Sequence, residues 1–272
     1  LIESPLHKLE SLLRERSGTL YIALSGGIDS ITLMTVAARV REESTIAVHA
    51  ISEAVPEEAT ARCRELAAQR NWTLKILNAG EFDDQRYIEN PVNRCYYCKT
   101  NLFARITDHI DATSATIATG TNQDDLGDYR PGLIAASENS VWQPFAEAGI
   151  DKKTIREIAR SENLGELSDL PAQPCLSSRV ETGIAINGAD LLFVHRVERK
   201  LAEEIGQGDI RCRITAEGVV AQLPADAAAF SDQHQHAQLE ALLKDLCQSN
   251  SRQFNRIEPY RMGSAFLRNA NE

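Results

Sequence analysis

Apolar residues along the chain fall into short blocks whose spacing switches between two patterns. Tyr21-Ile22-Ala23-Leu24 is a continuous run that breaks at Ser25-Gly26-Gly27. Beyond it, Ile31, Leu33, Met34, Val36, Ala37 and Val40 return at helical intervals. That order predicts a buried strand, a tight loop and a helix over 29–42. The alternation repeats downstream. Residues 45–51 and 74–77 predict strands, with a helix over 56–70 between them that Pro56 opens and that Glu57 and Glu58 suit electrostatically. Asn93 is placed to cap a helix running through Ile106, and 116–121 predicts a fourth strand. Ahead of them all, 4–16 predicts a helix with Leu6, Leu9, Leu12 and Leu13 on one side. Strands alternating with helices predict an α/β fold, a doubly wound parallel sheet with ligands at the carboxyl ends of its strands. Ser25-Gly26-Gly27 and Thr119-Gly120-Thr121-Asn122 both fall at such ends.

The pattern changes in the last third. A short strand at 141–144 and a helix at 152–163 lead into Asp169-Leu170-Pro171-Ala172-Gln173-Pro174-Cys175-Leu176-Ser177-Ser178-Arg179. Prolines and small polar residues make this a loop and the expected domain junction. Beyond it, a helix over 188–205, strands near 209–214 and 218–223, a helix over 234–248 and a strand near 253–258 predict a smaller α+β domain. The expected division is 1–170 and 171–272.

Composition narrows the function classes. With 272 residues, 43% of them hydrophobic and 25% charged, the chain suits one large or two modest globular domains. No apolar run approaches the roughly 18 residues of a membrane span. Residues 1–16 read as a charged amphipathic segment rather than a signal peptide, so a cytoplasmic protein is expected. The net charge of −10, from 29 basic and 39 acidic residues, disfavours a nucleic-acid footprint, which needs a basic face. A small phosphorylated substrate needs only a few local cations. Cysteines at 63, 95, 98, 175, 212 and 247 read as free thiols, metal ligands or catalytic groups rather than disulfides.

Candidate chemistry gathers in four places. In the first, Ser25 to Ser30, glycines let the backbone turn sharply and approach a ligand. A helix start adds free N–H groups and a positive dipole end, which suit an anion. Ser25 and Ser30 contribute hydroxyls, and Asp29 is placed to hold magnesium. The loop lacks the lysine of a Walker A motif and the spacing of a dinucleotide fingerprint. In the second, Cys95 and Cys98 lie one helical turn apart beside Arg94 and Lys99, which favour thiolates. Core packing is the equal alternative, and a zinc site would need further ligands. The third is Cys175, on a loop with Arg179 nearby to lower its pKa or bind phosphate. Cys63 and Cys247 read as packing residues. The fourth comprises Asp124, Asp125 and Asp128 with Arg130, a set that serves magnesium or caps turns. Arg211 and Arg213 alternate with Cys212 along a strand and offer a fork for phosphate, or else a solvent-facing edge.

SGGIDS at 25–30, NPVNRCYYCK at 90–99, ATGTNQDD at 118–125, DYRPG at 128–132 and PCLSSR at 174–179 follow the order found in one family. The chain resembles LarE-type sulfurtransferases of the PP-loop ATP pyrophosphatase superfamily, over most of 1–180 and on through Arg211-Cys212-Arg213. The resemblance implies ATP and Mg2+ as cofactors and a pyridinium carboxylate mononucleotide as substrate. The carboxylate becomes a thiocarboxylate in the biosynthesis of the nickel-pincer nucleotide of lactate racemase. It implies that Ser25, Gly26, Gly27, Asp29, Ser30, Gly120 and Asn122 bind ATP and its pyrophosphate, with Asp29 and Asp124 on magnesium. Arg179, Arg211 and Arg213 are then on the substrate phosphate, and Cys175 is a sacrificial sulfur donor. It also implies a homo-oligomer, a hexamer in the family. One alternative runs the same reaction through a 4Fe–4S cluster on Cys95, Cys98 and Cys175. Others are an amide-forming synthetase of the NAD or GMP kind, a tRNA thiolase that the net charge speaks against, and a non-catalytic redox or metal module built on the paired cysteines.

Overall fold

A computed structural model describes residues 4–110, 114–127, 130–206 and 208–261. From the amino end come α1 (Pro5–Glu15), β1 (Thr19–Ala23), α2 (Ile28–Arg41), β2 (Thr45–Ile51), α3 (Glu57–Gln69) and β3 (Thr73–Asn78). A short α4 (Gln85–Ile88) precedes α5 (Arg94–Thr107), β4 (Ala115–Ala118), α6 (Pro131–Glu138), α7 (Pro144–Ala148) and α8 (Lys152–Ser161). The last third holds α9 (Gly188–Ile205), β5 (Arg211–Thr215), β6 (Gly218–Leu223), α10 (Gln233–Ser249) and β7 (Phe254–Pro259). Two units divide the chain. The first runs up to Asp84 and resumes over Asn93–Gln173; the second takes Gln85–Val92 and the described chain from Pro174 onward. Among the described residues, no helix is long and apolar enough to cross a membrane.

The first unit is built on a four-stranded parallel sheet in the order β3-β2-β1-β4. Successive residues of a strand point to opposite faces, and the apolar runs divide accordingly. Leu20, Ile22, Ala47 and Ala118 pack with Leu9, Leu13, Ile31, Phe145 and Ile155. Tyr21, Val48 and Ile117 pack with Leu102, Phe103, Ile106 and Ala135. Helices therefore cover both faces, which is why the strands read as continuous apolar runs rather than alternating ones. After β1 the chain steps outward through β2 and β3, then returns to the other side of β1 as β4. The crevice between the ends of β1 and β4 is thus the switch point of the sheet, where ligands of open α/β folds bind.

Gly120 fixes the geometry of that crevice. The predicted strand over 116–121 ends at Ala118, and Thr119 to Thr121 run as loop. Gly120 lies so close to the start of α2 that a Cβ there would come within 2.7 Å of the Ser30 nitrogen and 2.8 Å of the Asp29 carbonyl carbon. The predicted strand over 141–144 shrinks to a single bridge between Trp142 and Ala118, because Pro144 opens α7 directly behind it. Asn93 stands at the cap of α5, but its side chain makes no capping hydrogen bond.

The second unit carries a three-stranded sheet in the order β5-β6-β7, with β5–β6 antiparallel and β6–β7 parallel. Central β6 is buried from Val219 to Leu223. Asn187 caps α9 and Asp232 caps α10 through side-chain oxygens that accept first-turn N–H groups. Segment 85–92 is stitched into this unit. The fully buried Asn90 amide donates to the carbonyls of Val180, Glu181 and Ile184, and Tyr87 shares a 2.5 Å hydroxyl contact with Ser177.

Substituting Gly120→Ala is expected to cost about 1–3 kcal/mol of stability, the usual range for overpacking. Gly127→Ala, where an added Cβ would meet nothing within 4 Å, serves as the comparison and is expected to be tolerated. Urea unfolding of both variants measures the difference.

Candidate functional site

The loop between β1 and α2 is organised by its own serines. Ser30 Oγ donates to the Gly27 carbonyl at 3.0 Å and accepts the Ser25 N–H at 3.1 Å. Ser25 Oγ lies 3.1 Å from Ser30 Oγ and accepts the Gly27 N–H at 3.3 Å. Gly26 holds φ at +82°, a left-handed conformation that glycine adopts without strain. Helix α2 starts at Gly27 without a side-chain cap. Its first-turn N–H groups and the positive end of its dipole therefore form an anion cradle. Ser25 is exposed at this surface while Gly26 and Ser30 are buried.

Beneath the loop sits a residue with no assigned part in the sequence reading. His49, on β2, is 1% exposed. Its Nδ1 lies 2.8 Å from the Leu24 carbonyl, and its Nε2 lies 2.9 Å from Thr60 Oγ1 on α3. A carbonyl only accepts, so Nδ1 carries the proton and Nε2 accepts from Thr60. Burial pushes the ring below its ordinary pKa, which keeps it neutral. The signal was a histidine inside the apolar run of a strand, where a polar group requires partners.

Asp29 lies in the first turn of α2, and both its carboxylate oxygens accept from Lys152 Nζ at 2.7 Å. Burial pushes the carboxyl above its ordinary value, while the Lys152 pair opposes that shift. Lys152 is a second residue that the sequence reading passed over. Its signal was also legible: a lysine pair opens α8, where positive charge opposes the helix dipole. Of the acids after β4, Asp124 accepts the Lys152 N–H at 2.9 Å and Asp125 pairs with Arg130 at 2.6 Å. The buried Asn122 accepts the Asp124 N–H at 3.0 Å. These groups brace the strand-end turn. Asp128 lies outside the described residues.

In the second unit, burial sorts the thiols. Cys212 is wholly buried and Cys247 nearly so. Burial pushes Cys247 up to about 11 and Cys212 well above its ordinary value. Cys63, in the first unit, is pushed up to about 12. Cys175 is exposed. It precedes a single helical turn over Leu176–Arg179, and its carbonyl accepts the Ser178 N–H at 3.0 Å.

Arg179 braces this turn from below. Its Nη1 donates to the carbonyls of Pro174 at 2.9 Å and Cys175 at 3.3 Å. Nε and Nη2 meet both oxygens of Glu198 at 2.8 and 2.9 Å. Burial alone would lower the Arg179 pKa, but the Glu198 carboxylate outweighs it and the net displacement is upward. Arg179, a candidate for the substrate phosphate, has its planar edge paired with Glu198. Nothing local in the sequence marked that partner, which lies 19 residues on. Glu198 also accepts the Cys212 N–H at 2.9 Å. Arg211 and Arg213 are half-buried on β5 with Cys212 turned inward between them. Arg213 donates to Gln222 Oε1 at 2.6 Å and to the Ser178 carbonyl at 2.9 Å. Arg211 lies over the Tyr260 ring, 5.2 Å from its centroid.

Cys95 and Cys98 are half-buried near the start of α5, in the first unit, whereas Cys175 belongs to the second. Among the described residues, no set of three or more His, Cys, Asp or Glu side chains is gathered to hold a metal ion. Magnesium makes a smaller demand, one or two carboxylates completed by phosphate oxygens. Asp29 in the first turn of the cradle helix suits that donor set.

A PP-loop domain family model matches residues 3–127. The chain is 35% identical to an uncharacterised protein of Synechocystis over 231 residues, covering 83% of this chain and 84% of that one. It is 32% identical to an uncharacterised protein of Methanocaldococcus jannaschii over 211 residues, covering 76% and 79%. Over 217 residues it is 27% identical to the pyridinium-3,5-bisthiocarboxylic acid mononucleotide synthase of Lactiplantibacillus plantarum, covering 78% of each chain. With the serine-braced cradle at the switch point of a parallel sheet, these likenesses decide the matter: the chain belongs to the PP-loop family of ATP-using enzymes and is a LarE-type member of it.

Proposed function

We propose that this protein uses ATP to activate the carboxylate of a pyridinium mononucleotide and replaces one carboxylate oxygen with sulfur from Cys175. The observation that carries the reading is the partition of the thiols. Three of six cysteines are buried with their pKa values pushed up, while Cys175 is exposed on a turn whose carbonyls Arg179 holds. The Lactiplantibacillus relative, a pyridinium-3,5-bisthiocarboxylic acid mononucleotide synthase by name, supports the substrate class.

The chemistry follows from leaving groups. Oxide is a poor one, so the carboxylate oxygen attacks the α-phosphorus of ATP, and pyrophosphate departs with the bonding pair. Charge grows on the departing pyrophosphate, where the first-turn N–H groups of α2 and the Ser25 and Ser30 hydroxyls stabilise it. Asp29 and Asp124 would hold magnesium, which supplies further neutralisation of the phosphates when bound. The Cys175 thiolate then attacks the acyl carbon and AMP leaves with the original carboxylate oxygen, giving a thioester. Loss of the Cys175 α-proton to a base drives cleavage of the Cβ–S bond. The electron pair stays on sulfur as a thiocarboxylate, and dehydroalanine remains in the chain. Arg211 and Arg213 supply positive charge for the substrate phosphate.

Three outcomes are expected. Asp29→Ala should slow pyrophosphate release about 100-fold or more, the scale of a lost electrostatic stabiliser; normal release would remove Asp29 from the site. After turnover, intact-mass spectrometry should show a loss of about 34 Da, the one sulfur and two hydrogens that a nucleophilic thiol gives up when its residue becomes dehydroalanine, mapped to Cys175. Product formed with an unchanged protein mass would end the donor reading, as would sulfur transfer by Cys175→Ala. The double variant Arg211→Ala/Arg213→Ala should bind the mononucleotide at least about tenfold more weakly, as for lost hydrogen bonds to a charged group. Unchanged substrate affinity would take the phosphate away from β5.

A further inference from the structure

One arginine of the first unit touches the cradle loop and has no part in the chemistry above. Arg62, on α3, donates from Nη1 to the Gly26 carbonyl at 2.7 Å and to Gln173 Oε1 at 3.1 Å. The first bond sets the direction of a peptide. The C=O and N–H of one trans peptide point in opposite directions across a rigid plane. Holding the Gly26 carbonyl toward α3 therefore aims the Gly27 N–H away from α3, to the side where Ser25 Oγ accepts it. A left-handed glycine has little intrinsic preference to keep such a plane in place. The same helix presses on the same residue one turn earlier. A Cβ on Gly26 would come within 2.9 Å of the Ala59 carbonyl oxygen. Ala59 and Arg62 are three apart and share a helix face, so α3 grips the loop by contact at one and by a charged hydrogen bond at the other.

The second bond reaches the chain that leads to the thiol. Gln173 precedes Cys175 by two residues, and its side chain shares the Arg62 Nη1 that holds Gly26. We infer that Arg62 is a positioning residue with two tasks. It orients the Gly26–Gly27 peptide for the pyrophosphate end of ATP, and through Gln173 it ties that loop to the segment delivering Cys175. The second task rests on the sulfur-donor reading; the first does not.

Calorimetric titration of the full-length protein with inorganic pyrophosphate tests the first task. Arg62→Ala, and Arg62→Gln that keeps most of the stem, should each weaken binding about tenfold, as for loss of a charged hydrogen bond that orients a donor. Arg64→Ala removes the same charge from an exposed position on the same helix and should change affinity less than about twofold. Added guanidinium, but not ammonium, should restore binding to Arg62→Ala in a saturable way, which a folding defect would not allow. Unchanged affinity in both Arg62 variants, or an equal loss in Arg64→Ala, overturns the assignment. For the second task, Gln173→Ala should keep pyrophosphate affinity within about twofold and slow the mass loss at Cys175 about tenfold. An unchanged rate of mass loss overturns it. If the wild-type protein never loses that mass, the second task falls together with the donor reading, while the pyrophosphate titrations still judge the first.

Discussion

The approach of Gly120 to the first turn of α2 is the constraint on which the nucleotide site depends. At that point the loop after β4 lies against the backbone of Asp29 and Ser30, with no room for a side chain. The approach brings the two loops of the switch point together. Gly27, at the cap of that helix, has no side chain to offer, so the first-turn N–H groups have an anion as their natural partner. Lys152 closes the arrangement from α8 by taking both oxygens of Asp29. His49 supports it from below, tying the Leu24 carbonyl to α3. The cradle is therefore preorganised by groups that need not touch the nucleotide, which lowers the reorganisation required when charge develops on pyrophosphate.

Burial does for the thiols what the sheet does for the cradle. Cys63, Cys212 and Cys247 lie in apolar surroundings that disfavour the thiolate. Cys175 stands exposed, and the Arg179–Glu198 pair holds the turn it opens. Such a pair is costly to break from one side, because removing one partner strands a charge beneath the turn. Its contribution is thus to the geometry of the loop more than to net stability.

The β-α alternation was readable because both faces of the sheet are covered, so β1 and β2 appear as unbroken apolar runs with helical spacing between them. Helix α9 falls where its spacing put it, from 188 to 205. The end of β4 was less legible: Thr119 and Thr121 favour strand, but the docking of Gly120 on α2 overrides that local preference. Short α4, α6 and α7 escaped because four to eight residues carry too little periodicity to register. At the site, the serines, glycines and Asp29 were visible as a contiguous string. His49 and Lys152 left a local signal but not their partners, and Arg62 and Glu198 left neither, because each acts on a partner distant in the sequence that only the fold supplies. The pairing of Arg179 with Glu198 shows the limit most clearly, since nothing near the arginine in the sequence points to a partner 19 residues on.

The central claim is that ATP activates a carboxylate by attack of its oxygen on the α-phosphorus, before a thiol displaces AMP. Mononucleotide substrate carrying oxygen-18 in its carboxylates tests this directly when the released AMP is analysed by mass spectrometry. The account predicts one labelled oxygen in the phosphate of AMP and none in pyrophosphate. Unlabelled AMP accompanying thiocarboxylate formation would contradict it.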